Sequence, residues 1–146
     1  MTATNQQIVS DALSMIGVVA DGKSPTPYQI QTGIIVMNDN LLTQQRDGWN
    51  LGWYPQSIAN ITQNAPLRDE DIGDVKLVLA SWLAPRMGVT IAPPPATSPD
   101  DPSSLANQIK KAFTRLSKRS LRYTEADLGE LSRAQGGPWG GPGWGM

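Results

Sequence analysis

The sequence predicts an all-α fold: a small antiparallel helical bundle with a long aromatic loop and an extended C-terminal arm. Three observations lead there. Apolar residues recur at helical spacing in four separate stretches. Those stretches are bracketed by residues that start and stop helices. The chain has 146 residues, 39% of them hydrophobic, which suits one domain with a modest core plus appendages.

The first helix is predicted from Ile8, Val9, Ala12, Leu13 and Ile16, with Gly17 as its stop. In the second, Thr26 caps, Pro27 takes the first turn and Gln29 completes a capping box. Ile30, Ile34, Met37 and Leu41 form its apolar face, and Gly48 ends it. Gly33 lies inside this helix, where it costs about 1 kcal/mol against Ala, so a close helix crossing is expected there. The third helix follows Pro66 and opens with Asp69, Glu70 and Asp71, acids that favour a helix N-terminus. Ile72, Val75, Leu79, Trp82 and Leu83 face inward; Pro85 kinks or ends the helix, and Gly88 closes it. The fourth helix is expected to enter at Asp101-Pro102, to bury Leu105, Ile109, Ala112, Phe113 and Leu116, and to end near Ser120.

The connections differ in kind. Residues 49–66 form a long loop that holds Trp49, Trp53 and Tyr54, and residues 90–100 carry the stiff Pro93-Pro94-Pro95 spacer. The expected organisation is a helical domain over residues 1–122 and an extended Gly/Pro/Trp-rich arm over 123–146.

Composition narrows the chemistry. Cysteine and histidine are both absent, which removes disulfides, thiol nucleophiles and the usual metal sites and general base. No phosphate-cradling glycine loop is present either. No enzyme, metal or cofactor is therefore expected. Glu70 and Asp74, four apart on the third helix, are a carboxylate pair that a hydrolase reading could use, but they read better as early-helix acids. A net charge of −1 points to no nucleic-acid or membrane partner through global charge. With no apolar run of about 18 residues and no secretory leader, the chain is expected to be soluble and intracellular when made.

Partner binding is expected at three places. Lys110, Lys111, Arg115, Lys118, Arg119 and Arg122 are six of the twelve positive residues, within thirteen positions, and no acid lies between Asp101 and Glu125. Lys111, Arg115, Lys118 and Arg122 are the candidates for a face toward a DNA channel or an acidic partner; a plain solvated face, or a DNA-binding module over 110–122, are the alternatives. In the aromatic loop, Trp49 is expected to cap the core, whereas Trp53 and Tyr54 are candidates for core or partner contact.

The third place is the tail. Residues 135–146 hold six glycines and two prolines, with Trp139 and Trp144 as the main apolar surface. Ordering such a segment costs about 1–2 kcal/mol per residue in backbone entropy. Each indole buries about 150–250 Å², about 4–6 kcal/mol gross. Two rings alone do not order the tail, so a partner is expected to hold it through Pro138, Trp139, Pro142 and Trp144; the alternative is a solubilising linker.

Several residues also carry a resemblance. Ala12-Leu13, Ile16-Gly17-Val18, Gly33, Met37, Asn38 and Leu41 are followed by Asp47-Gly48-Trp49, Trp53-Tyr54, Asp71-Ile72, Ala80 and Ala84-Pro85. Over residues 5–88 this pattern resembles the head-to-tail adaptor, or packaged-DNA stabilisation, family of short-tailed bacteriophages. The resemblance implies a ring of about twelve copies under the portal protein. Such a ring extends and seals the channel through which packaged DNA passes, and it carries tail proteins such as a nozzle. It places the protein in the virion neck, after synthesis in the host cytoplasm, and makes the C-terminal arm portal-binding. The tail itself matches no pattern of that family.

Overall fold

The computed structural model describes residues 2–20 and 22–134. Four helices carry the chain: α1 (Asn5–Met15), α2 (Pro27–Arg46), α3 (Asp69–Arg86) and α4 (Leu105–Ala134). A short 3-10 helix, Ile58–Asn60, sits in the loop between α2 and α3. The described residues contain no strand, only one isolated bridge between Thr4 and Asn64. The all-α bundle is thus the fold.

The helix boundaries follow from local chemistry. The Thr4 and Thr26 hydroxyls each accept a hydrogen bond from the backbone N–H of a glutamine three residues on, and that glutamine's side-chain oxygen accepts in return from the threonine backbone N–H. Gly17, Gly48 and Gly88 end α1, α2 and α3 with positive φ angles of 77°, 121° and 70°. At each stop the next residue donates back across the last turn: Val18 to Leu13, Trp49 to Gln44 and Val89 to Ala84. Pro85 lies in the last turn of α3, which ends one residue later.

α3 is the central helix, packed against α1 on one side and α4 on the other, while α2 lies against both α1 and α3. The core joins Ile8, Val9 and Leu13 of α1 to Met37 and Leu41 of α2, Val75, Leu79 and Leu83 of α3, and Ala112 and Leu116 of α4. Gly33 has the close crossing its position demanded. A Cβ there would lie 3.0 Å from Cγ2 of Val9 and closer still to Cγ1.

α2 holds the aromatic loop with two side-chain amides seven residues apart. Gln45 accepts from the Trp53 backbone N–H (2.7 Å) and donates to its carbonyl (2.9 Å). Asn38 does the same for Gln56, at 2.9 and 2.6 Å. Each amide acts as a stretch of neighbouring strand would, satisfying a buried backbone donor and acceptor together. Asn5, itself buried, donates to Gln56 Oε1 and to the Asn60 carbonyl, tying the loop to the start of α1.

α4 departs from expectation at both ends. Asp101-Pro102 does not enter the helix: Asp101 instead fixes a turn by accepting from the Ser103 backbone N–H and hydroxyl at 2.9 and 2.8 Å, and the helix starts at Leu105. Nor does α4 stop near Ser120. From Leu105 to Leu128 there is no Gly or Pro to end it, and Tyr123 is anchored on α3 by a hydrogen bond to Glu70. Residues 123–134, expected as the first half of the extended arm, are therefore helical.

Gly33→Ala is expected to lower the urea midpoint despite its better helix propensity. Val9 is β-branched and fully buried, so the new methyl overpacks the crossing, at about 1–3 kcal/mol against about 1 kcal/mol gained. In a Val9→Ala background the same change should be neutral or stabilising.

Candidate partner-binding surfaces

α3 and α4 run antiparallel, joined by an ionic seam. Asp71 and Asp74 lie on α3 three residues apart; Arg115 and Arg119 lie on α4 four apart, so all four reach one strip of the interface. Nε and Nη2 of Arg115 both donate to Oδ1 of Asp74, at 2.9 and 2.7 Å. Nε of Arg119 donates to Oδ1 of Asp71 at 2.9 Å, and its Nη2 donates to Oδ2 of Asp74. Asp71 is 0% exposed, and its second oxygen lies 4.0 Å from Nη1 of Arg68. Arg68 in turn donates to the Asn50 carbonyl at 2.8 Å and stacks 3.7 Å above the Tyr123 ring. The Tyr123 hydroxyl donates to Glu70. Three carboxylates thus face three guanidinium groups.

Burial pushes the Asp71 carboxyl above its ordinary value, against the hydrogen bond and charge of Arg119. For Arg119, burial works downward, but the bonds to Asp74 and Asp71 prevail and raise its pKa. Burial, and then the hydrogen bond to Glu70, push Tyr123 up to about 12.

This seam divides the basic cluster. Arg115, a candidate for the channel or acidic-partner face, pairs its guanidinium with Asp74 while its side chain stays 46% exposed. Arg119 is held likewise. Lys111, Lys118 and Arg122 remain exposed, with Lys110 beside them. Lys111 to Arg122 spans twelve residues, about 16 Å of helix. Leu121 and Leu128, 65% and 60% exposed, add an apolar pair seven residues apart on the outer part of α4.

Glu70 and Asp74 both have partners on α4, Tyr123 for the first and two arginines for the second. They act as bundle contacts. Among the described residues no group of three acidic, histidine or cysteine side chains is placed to hold a metal. No described helix is long and apolar enough to cross a membrane.

The aromatic loop also divides. Trp53 is 4% exposed and packs in the core, so as a partner contact it is corrected; the grip of Gln45 on its backbone turns the indole inward. Tyr54, the next residue, is 63% exposed, and Ile58 is 51% exposed on the same loop. Trp49 caps the core as expected: its ring lies 5.7 Å from Phe113, which also meets Trp82 edge-on at 6.1 Å. Its indole N–H donates to Ser117 of α4 at 3.2 Å. The arm candidates Pro138, Trp139, Pro142 and Trp144 lie outside the described residues.

Sequence reasoning missed the amides Asn38, Gln45 and Asn5, and the pairing of Arg115 and Arg119. The amides had a weak signal, being polar residues among buried ones on otherwise apolar helices. The arginines had none, because only the docking of α4 on α3 brings the acids within reach. No family model matches the chain, and no curated protein matches it.

Arg119→Met should destabilise the protein by about 3 kcal/mol, because it strips a fully buried carboxylate of its main partner. The triple change Lys111→Glu, Lys118→Glu, Arg122→Glu should shift stability far less, since exposed charges contribute little. Denaturant titration of both variants tests the division.

Stability should also fall as the pH rises from 10 toward 12. The folded Tyr123 keeps its proton up to about 12, while the unfolded phenol, at its ordinary 10.0, has already lost its own. The folded state then binds more protons, so raising the pH favours unfolding. Melting temperatures across this window should show the loss, and Tyr123→Phe should flatten it.

Proposed function

We propose that this chain is a structural head-to-tail adaptor of a phage virion, forming a ring under the portal that extends and seals the DNA channel. The observation that carries this reading is the overhang of α4. Tyr123 meets Glu70 close to the N-terminus of α3. The remaining eleven residues of α4 continue for about 16 Å past that point. In the sequence the Gly/Pro/Trp segment follows directly on this helical extension, and it is the part assigned here to a second molecule. The resemblance over residues 5–88 supplies the partner: the portal protein for the arm, further copies for the ring, and tail proteins such as a nozzle below.

The parts then have separate roles. Tyr54 and Ile58 offer an exposed apolar contact for a neighbouring protein. Lys111, Lys118 and Arg122 supply a positive face toward packaged DNA or an acidic neighbour. DNA binding as the main role has less support, because the seam pairs two of the six clustered cations with acids of α3.

Deleting residues 136–146 should leave the helical circular dichroism unchanged and abolish stable association with the portal ring encoded in the same genome. Sedimentation of the mixture reads this directly. Portal binding at full strength without those residues would overturn the arm's role. Binding to linear DNA that collapses with moderate salt, with no portal binding, would favour the DNA-binding reading.

A further inference from the structure

At the corner opposite the overhang, a groove opens between the end of α1 and the start of α4. It is lined by Met15, Ile91, Pro93, Pro95 and Leu105, with Asp101 at its polar edge. The groove is open to solvent and holds about 310 Å³, the lower end of the range of small-molecule pockets. Its walls are stiff. Proline fixes the backbone of the spacer, and Asp101 is held by two hydrogen bonds from Ser103. Met15, the most adaptable side chain of the lining, is 38% exposed. The site suits one flat apolar ring carrying a hydrogen-bond donor, with the Asp101 carboxylate as acceptor.

Trp139 and Trp144 are rings of that kind in a Gly/Pro-rich segment, unlike the exposed Tyr28 and Tyr54, which sit on α2 and the clamped loop. Their own groove is beyond reach. From Ala134 back to Leu105, α4 covers 29 residues, about 44 Å. The ten residues from Ala134 to Trp144 span at most about 33–36 Å fully extended, and Trp139 reaches half as far. Only another molecule's groove lies within range.

We infer that the Trp-bearing tail of one copy docks in the α1–α4 groove of a second copy. The inference rests on the self-assembly part of the proposed function and names the contact. The contact is head-to-tail, since the tail leaves one end of α4 and the groove sits at the other. Repeated, such a contact closes into a ring when the rotation between copies allows it. With two indoles per tail, one occupies the neighbouring groove and the other is left for the portal.

The chain has no cysteine, so disulfide trapping tests this on the full-length protein. Thr90→Cys places a thiol on the exposed groove lining; Gly140→Cys and Gly143→Cys place one beside each indole. Mixing groove and tail variants under mild oxidation, in a concentration series reaching millimolar, should give covalent heterodimers. Their yield should be on the order of tenfold above that with an Arg46→Cys control, as expected for a docked thiol at high effective concentration. Met15→Glu in the groove partner should remove the excess, and the lost arm should show which tryptophan docks. Yields equal to the control in both pairings would overturn the inference and assign the groove to another partner. A Thr90→Cys, Gly143→Cys double variant that closes only on itself would also overturn it. Portal binding by the reduced wild-type chain, measured in parallel, reports on the adaptor reading separately. Portal binding without trapping sinks only this inference; trapping without portal binding sinks only the adaptor.

Discussion

The buried carboxylate of Asp71 constrains everything that α4 does. A carboxylate with no solvent exposure is tolerated only where charge and hydrogen bonds replace water, and Arg119 provides both. That requirement sets the register of α4 on α3. An apolar stripe alone would permit a slip by one turn, since Ile109, Ala112 and Leu116 recur at similar spacing. The seam disfavours it, because a one-turn slip would leave a single arginine for Asp71 and Asp74 and break the Tyr123 contact with Glu70. The seam works here as a device of specificity, with the surrounding apolar contacts of Leu116 and Phe113 providing adhesion.

Fixing that register has consequences at both ends of α4. At one end Tyr123 is pinned between Glu70 and Arg68, so the helix leaves the bundle at a defined place and direction. At the other end, the Leu105 turn is set beside the end of α1, and the proline spacer folds over both to form the groove. The overhang and the groove are thus opposite ends of one rigid rod.

The loop between α2 and α3 solves another problem. It is long for so small a domain, and its inner backbone groups have no regular structure to pair with. Asn38, Gln45 and Asn5 fill that gap. Their grip turns Trp53 inward and leaves Tyr54 outside, so adjacent aromatics have opposite fates. A clamped loop can present a contact residue with little entropy left to lose on binding.

What the sequence determined by itself was local. Capping boxes, glycine stops and apolar spacing are short-range effects that act within about one helical turn, and they placed α1, α2 and α3 close to their observed limits. Gly33 announced its close crossing because an unfavourable residue inside a helix needs a reason. The sequence misjudged α4 because its continuation past Ser120 depends on the Tyr123 anchor from α3, some fifty residues away. It likewise did not foresee the pairing of Arg115 with Asp74 and left Trp53 open to a partner, since neither fate is written near the residue concerned. Only the tertiary structure decided which charges were spent inside and which stayed on the surface, because a charge finds its partner through the packing of helices and not through its neighbours in the chain.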